Sequence, residues 1–205
     1  CIQGVGGLGE GTRPFYEGLE KLCKAYDVLL IADEIQSGYG RTGDFFAFQK
    51  YGWQPDNISM AKGMGNGFPM GGILIHPKIK SSFGLLGTTF GGNHLACAAG
   101  LAVLKVLERE NLMKNADDMS AYFLDKSKHL PHLVSIKGRG LMLGLEFDFP
   151  VAELRRTLVY NHKIFTGSAT NPNLIRILPP LTIKEEHIDK LFSALRQELL
   201  MMNSG

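Results

Sequence analysis

Val28-Leu29-Leu30-Ile31-Ala32-Asp33-Glu34-Ile35-Gln36-Ser37-Gly38 opens on five apolar residues and closes on two carboxylates and a turn. An uninterrupted apolar run of this length suits a strand buried on both faces of a parallel sheet. Upstream, Thr12-Arg13-Pro14 reads as a helix start, with the proline in the first turn, where its missing N–H costs little. Phe15, Leu19, Leu22, Cys23 and Tyr26 then fall on one helical face. A helix joined to a strand by a short link points to α/β architecture.

Downstream, Ile58-Ser59-Met60-Ala61 is a second short strand that runs into Lys62. A glycine-rich loop follows, from Gly63 to Gly72, and Ile73-Leu74-Ile75 forms a third strand. His94 to about Leu107 is almost all Ala, Leu, Val, Gly and Cys, the composition of a helix buried on most sides. Beyond the polar patch Asn115–Asp118 comes one more helix, and then the texture changes. Residues 134–136 and 141–147 read as strands around Gly138-Arg139-Gly140, followed by a helix over 151–161 and strands over 163–166 and 174–177. Thr182-Ile183-Lys184-Glu185 has capping-box spacing at the start of a last helix, whose Ile188, Leu191, Phe192, Leu195 and Leu199 form one stripe. These segments place a domain boundary near residue 130, dividing 1–130 from 131–205.

Four positions carry chemistry. Asp33 ends a buried strand, which is where α/β sheets bind ligands, and a carboxylate there calls for a cationic partner. A protonated pyridine nitrogen is one such partner, and a helix cap or ion pair is the plain alternative. Lys62 ends a neighbouring strand beside glycines, so its amine loses solvation and gains nucleophilicity. Its alternative is an ordinary lysine at a strand end. Gly87-Thr88-Thr89-Phe90-Gly91-Gly92-Asn93 stands before a helix, where hydroxyls and free amides either hold a phosphate or simply cap the helix. Arg176 interrupts the apolar run Leu174–Leu178 and requires a planar anion, supplied either by an internal ion pair or by a substrate carboxylate.

Several function classes fall away. The 205 residues carry a net charge of +2, with 44% apolar and 20% charged residues, the balance of an ordinary globular protein. That charge leaves no footprint for nucleic acid or an anionic membrane. No apolar run approaches the roughly 20 residues needed to span a bilayer, and no signal peptide is evident. Cys1, Cys23 and Cys97 form no closed disulfide set and no zinc pattern, which leads to the expectation of buried free thiols in a reducing compartment. The histidines show no metal-ligand spacing, and no nucleophile elbow is present. Gly38-x-Gly40-x-x-Gly43 and Gly4-x-Gly6-x-x-Gly9 match a dinucleotide fingerprint only formally. The first stands too far from its strand for the tight pyrophosphate turn, and the second has no strand before it. The opening at Cys1, straight into a glycine-rich stretch, leads to the expectation that the protein has a further upstream part.

Read together, these stretches resemble the class III (fold type I) pyridoxal-phosphate-dependent aminotransferases, especially their acetylornithine and succinylornithine branch. The resemblance runs through Ile2–Gly7, Ala32–Gly43, Met60–Gly63, Gly87–Asn93, Gly138–Gly144 and Arg176–Leu181 in order. It implies the later part of a large α/β cofactor domain, mainly parallel, followed by a small α+β C-terminal domain. It also implies that Lys62 holds pyridoxal 5'-phosphate and moves the proton, and that Asp33 pairs with the ring nitrogen. Ile35 would pack beneath the ring, Gln36 near its phenolic oxygen, and Arg176 at the substrate, while Thr89 and Thr88 would reach the phosphate and the substrate of the neighbouring subunit, which makes a dimer necessary. The implied reaction is transfer of the δ-amino group of an N-acylornithine to 2-oxoglutarate, giving glutamate, in arginine biosynthesis by a cytoplasmic homodimer. Transfer from ornithine or a 4-aminobutyrate-type amine is the alternative within the family, and a folding or dimerisation unit without activity is the alternative of another class. Two departures stand out: Val5 replaces a glutamate that in many relatives pairs with the substrate-binding arginine, and Cys1 replaces a common proline.

Overall fold

The computed structural model describes residues 2–4, 6–85 and 87–202. Cys1 and Val5, the sites of both departures, lie outside the described residues. In chain order the first elements are β1 (Ile2–Gln3), β2 (Gly9–Glu10), α1 (Arg13–Ala25), β3 (Ile31–Asp33), β4 (Asn57–Met60), β5 (Gly72–Ile75) and α2 (His94–Arg109). Then come α3 (Leu112–Ser127), β6 (Leu133–Arg139), β7 (Met142–Phe147), α4 (Ala152–His162), β8 (Gly167–Ser168), β9 (Leu174–Ile177) and α5 (Glu185–Met202). They form two compact units, Gly11–Leu112 and Ile2–Glu10 with Met113–Gly205. The expected boundary near residue 130 falls within the second unit, between α3 and β6.

In the first unit, Thr12 caps α1 by accepting from the Phe15 N–H at 3.4 Å, with Pro14 in the first turn. The sheet order is β3-β4-β5, with β3 and β4 parallel and β4 and β5 antiparallel. A parallel return to β5 is excluded by the link after β4, which is shorter than the crossover of about a dozen residues, usually helical, that such a return needs. The expectation of a strand from Val28 shortens to Ile31–Asp33, and Val28, Leu29 and Ile31 are exposed rather than buried. The apolar face expected on α1 is likewise open at Phe15, Leu22 and Tyr26, and the buried aromatic of that helix is Tyr16. Tyr16 packs on Tyr51 and Trp53, and Phe48 joins Trp53 to Phe46, so this unit's core is largely aromatic. Helix α2 forms where expected, capped by Asn93 Oδ1 on the Ala96 N–H at 2.9 Å. It is not buried on most sides: Ala96, Gly100 and Leu107 are buried, whereas Leu95, Leu101 and Leu104 are open, and so is Cys97, which corrects the expectation of buried thiols.

The second unit is built around an antiparallel sheet of order β6-β7-β9-β8. Strand β7 is covered on both faces. Leu143, Leu145 and Phe147 enter a core with Phe123 of α3, Leu154 and Leu158 of α4, Ile175 and Ile177 of β9, and the α5 stripe. Met142 faces the other way, against Leu8 and Leu174. Every residue of the predicted α5 stripe is buried. Gly138 has φ +88° and a Cβ there would overlap the Met142 carbonyl, so glycine is required where the β6–β7 hairpin turns. Two local expectations shift. The polar patch Asn115–Asp118 lies inside α3, where Asn115 donates to the carbonyls of Leu181 at 2.6 Å and Ile183 at 3.1 Å. The strand expected over 163–166 appears instead as β8, because left-handed Lys163 ends α4 and turns the chain first. Among the described residues, no helix is long and apolar enough to cross a membrane.

Candidate active site

Strands β3 and β4 run side by side with Asp33 opposite Ser59, so both end at one edge of the sheet. The Asp33 carboxylate is held there by one oxygen: Oδ1 accepts from Ser59 Oγ at 3.3 Å and from the Ile35 N–H at 3.1 Å. Its Oδ2 takes no hydrogen bond among the described residues. Lys62 follows Ser59 by three positions and opens a short 3-10 turn, Lys62–Met64. Its φ of +46° is left-handed, a conformation that costs a non-glycine residue on the order of 1 kcal/mol. The loop after it closes because Gly65 has no Cβ, which would overlap the Phe68 carbonyl. The Lys62 amine has no hydrogen-bond or ion-pair partner among the described residues. Lys62 is exposed, which corrects the expectation of a desolvated amine: the glycines leave its surroundings open rather than dry. Ile35 and Gln36 are half-buried on the turn directly after Asp33.

Thr88 and Thr89 are exposed in the segment before α2, where Thr88 Oγ1 accepts from the Gly91 N–H at 3.1 Å. Arg176 lies in the second unit, on β9. Its Nε donates to the Ser168 carbonyl at 2.5 Å, while Nη1 is buried with no hydrogen-bond partner. No carboxylate of the described residues pairs with it, so the internal ion pair that its sequence position allows is not formed. Arg176 is half-buried, and because a guanidinium cannot shed its proton, Nη1 remains a donor without an acceptor among the described residues. No group of His, Cys, Asp and Glu among the described residues could hold a metal.

Asp33 and Lys62 thus lie at the ends of adjacent strands, one with an unpartnered carboxylate oxygen and the other with an unpartnered amine among the described residues. The class-III aminotransferase family model matches residues 1–199.

The chain belongs to the class-III aminotransferases.

Among relatives in this family, the acetylornithine aminotransferase of Aquifex aeolicus is 44% identical over 97% of this chain and 52% of its own length. That of Bacillus subtilis is 39% identical over the same shares. An ornithine aminotransferase from Toxoplasma gondii, with pyridoxal phosphate partially occupying its active site, superposes with a TM-score of 0.89 at 29% identity. That match covers 99% of this chain and 50% of the other. An acetylornithine aminotransferase from Elizabethkingia anophelis gives 0.85 at 30%, over 98% and 52%. The chain therefore spans about half the length of these class-III relatives. Family members use pyridoxal phosphate, and the open Lys62 amine and Asp33 Oδ2 fit that group.

Sequence reasoning assigns no role to two residues of the site. Ser59 steadies Asp33 across the sheet, and Glu34 is completely buried under it. Strand alternation holds the signal for Glu34: with Ala32 buried and Asp33 exposed, the next side chain must point inward.

Proposed function

We propose that the full-length protein is a pyridoxal-phosphate-dependent transaminase that moves the δ-amino group of an N-acylornithine to 2-oxoglutarate. The observation that carries this reading is the pair of unpartnered groups, Lys62 Nζ and Asp33 Oδ2, beyond the ends of adjacent parallel strands. The chemistry supplied by bound pyridoxal phosphate is an electron sink for the carbon that bears the amine. Lys62 Nζ would be the amine that holds the cofactor and, once freed by the substrate amine, the group that holds and moves the proton. Asp33 Oδ2 would hold the ring nitrogen in its protonated form, with Ile35 beneath the ring and Gln36 near its phenolic oxygen. Thr89 would hold the phosphate and Thr88 the substrate of the neighbouring subunit, and Arg176 would hold a substrate carboxylate.

This reading assigns 1–130 to the later part of the cofactor domain and 131–205 to a small C-terminal domain. It takes the working form to be a cytoplasmic homodimer. The N-acylornithine assignment is supported by the 44% identity to an acetylornithine aminotransferase. Free ornithine is the second reading, favoured by a TM-score of 0.90 to another Toxoplasma gondii ornithine aminotransferase structure. Competing amine substrates offered to the full-length enzyme separate the two.

The experiment that tests the reading compares full-length protein with Lys62→Ala in the presence of pyridoxal phosphate. Wild type is expected to develop a visible band that borohydride fixes on the peptide containing Lys62. The variant should lose the band, and transamination should fall by at least about a thousandfold. A variant that keeps both band and turnover would overturn the assignment of Lys62, and a wild type that shows neither would leave the folding-unit reading standing.

A further inference from the structure

The geometry points to Glu34 as the positioning residue of the cofactor site, a role that rests on the reading of Asp33 and Lys62 above. Glu34 is 0% exposed, yet it carries a carboxylate. Burial of a carboxylate is heavily penalised unless its oxygens are filled with donors. Both oxygens are filled from two separate places. Oε2 accepts from Ser37 Oγ at 2.6 Å and from the Ala47 N–H at 3.0 Å, and Oε1 accepts from the Phe48 N–H at 3.0 Å. Ala47 and Phe48 begin a 3-10 helix, Ala47–Tyr51, whose first N–H groups have no partner within the helix. The backbone of Glu34 adds two further ties: its N–H donates to the Ser59 carbonyl, and its carbonyl accepts from the Gly38 N–H, both at 3.0 Å.

One residue thus grips β4, the near end of the loop after β3 and the far end of that loop. What it grips is the cofactor-facing set. Asp33 immediately precedes Glu34, and Ile35 and Gln36 lie between Glu34 and its partner Ser37. Asp33 is otherwise restrained by Ser59 Oγ and by the N–H of Ile35, and Ile35 is itself part of the gripped turn. Glu34 faces inward, away from the side where Asp33 is open, and acts through the backbone rather than by touching the reacting atoms. A glutamine of the same size cannot replace it. An amide has one acceptor oxygen, and its NH2 would be set against either the Phe48 N–H or the Ser37 and Ala47 donors.

The test uses the full-length protein loaded with pyridoxal phosphate, with Glu34→Gln and Lys62→Ala as variants. Glu34→Gln is expected to stay folded and to speed hydrogen exchange at the Ala47 and Phe48 amides. It should weaken pyridoxal phosphate binding about tenfold or more, and it should lower kcat more than it raises KM. The circular dichroism of the visible band, which reports how the ring is held, should change in sign or size. Faster exchange at Ala47 and Phe48 with unchanged affinity and unchanged band dichroism would show a merely structural role and overturn the proposal. If Glu34→Gln does not fold, Ser37→Ala removes a single donor and should weaken binding about two- to threefold, with the same change in dichroism; unchanged constants there overturn it equally. A band that persists in Lys62→Ala sinks the cofactor reading and this role with it. A band lost in Lys62→Ala but unmoved in Glu34→Gln sinks the role of Glu34 alone.

Discussion

The two units treat their apolar residues in opposite ways. Around β7, every inward side chain meets a helix or a neighbouring strand, and Leu145, Leu158, Phe192, Leu195 and Leu199 are each 0% exposed. Around β3-β4-β5 the sheet is largely open: Ile31 is 57% exposed, Ile73 51% and Leu74 50%. Yet Asp33 and Lys62 belong to the open unit, where the secure core is a cluster of aromatics tied together by Glu34. The dense apolar core lies in one unit and the proposed cofactor residues in the other. On that proposal the lysine must be reachable and the aspartate must keep an oxygen free, which agrees with the low burial at these positions.

The sharpest way to break this contrast is to empty the dense core. Phe192→Ala removes a ring that packs edge-on against Phe123 in the second unit. It should cost about 3–5 kcal/mol in urea unfolding of this chain. A loss under about 1 kcal/mol would mean that the second unit is not the stabilising one.

A smaller effect sharpens the same point through pH. Glu146 on β7 accepts from Ser135 Oγ at 2.6 Å, Asn171 Nδ2 at 2.7 Å and Lys137 Nζ at 2.9 Å. The Ser135 hydroxyl first, then Lys137, hold its carboxyl below the ordinary value of 4.5. A carboxylate whose folded-state pKa is depressed contributes stability that is present above the unfolded value and lost as pH falls through the folded one. Glu146→Gln should therefore cost about 1 kcal/mol near neutrality, and its difference from wild type should vanish in acid below the 4.5 reference. A cost that does not change with pH would show that the carboxylate charge is not what Ser135 and Lys137 stabilise.

The smallest effect is expected on the open sheet. Leu74→Ala on β5 should change the stability of this chain by less than about 0.5 kcal/mol, since the side chain is half exposed. The same substitution in the full-length protein should cost more than about 2 kcal/mol if further chain covers that face. Equal small costs in both would mean that the face stays open.

Much of this architecture is legible in the order of residues. Helix α5 shows its stripe at helical spacing, and α1 shows its proline start, because both signals are local in the chain. Asp33, Lys62 and Arg176 stand out because each is a charged residue where an apolar pattern predicts none. Two of the expectations that fail share one physical cause. The runs Val28–Ala32 and His94–Leu107 are apolar enough for burial, but burial depends on what packs against them, and that is not written in the runs themselves. The strand expected over 163–166 fails because one left-handed residue, Lys163, decides where the chain turns.

The sequence by itself determined the alternation of helices and strands and the three charged residues set where apolar patterns predict none, and its likeness to known members determined the class-III aminotransferase family. The first two follow from side-chain chemistry and from spacing along the chain. Only the tertiary structure decided that Asp33 looks outward while Glu34 is sealed beneath it, that Ser59 meets Asp33 across a parallel pair, and that Arg176 keeps an unmatched N–H. A hydrogen-bond partner or a strand neighbour is chosen among residues far apart in sequence, and that choice is made by packing.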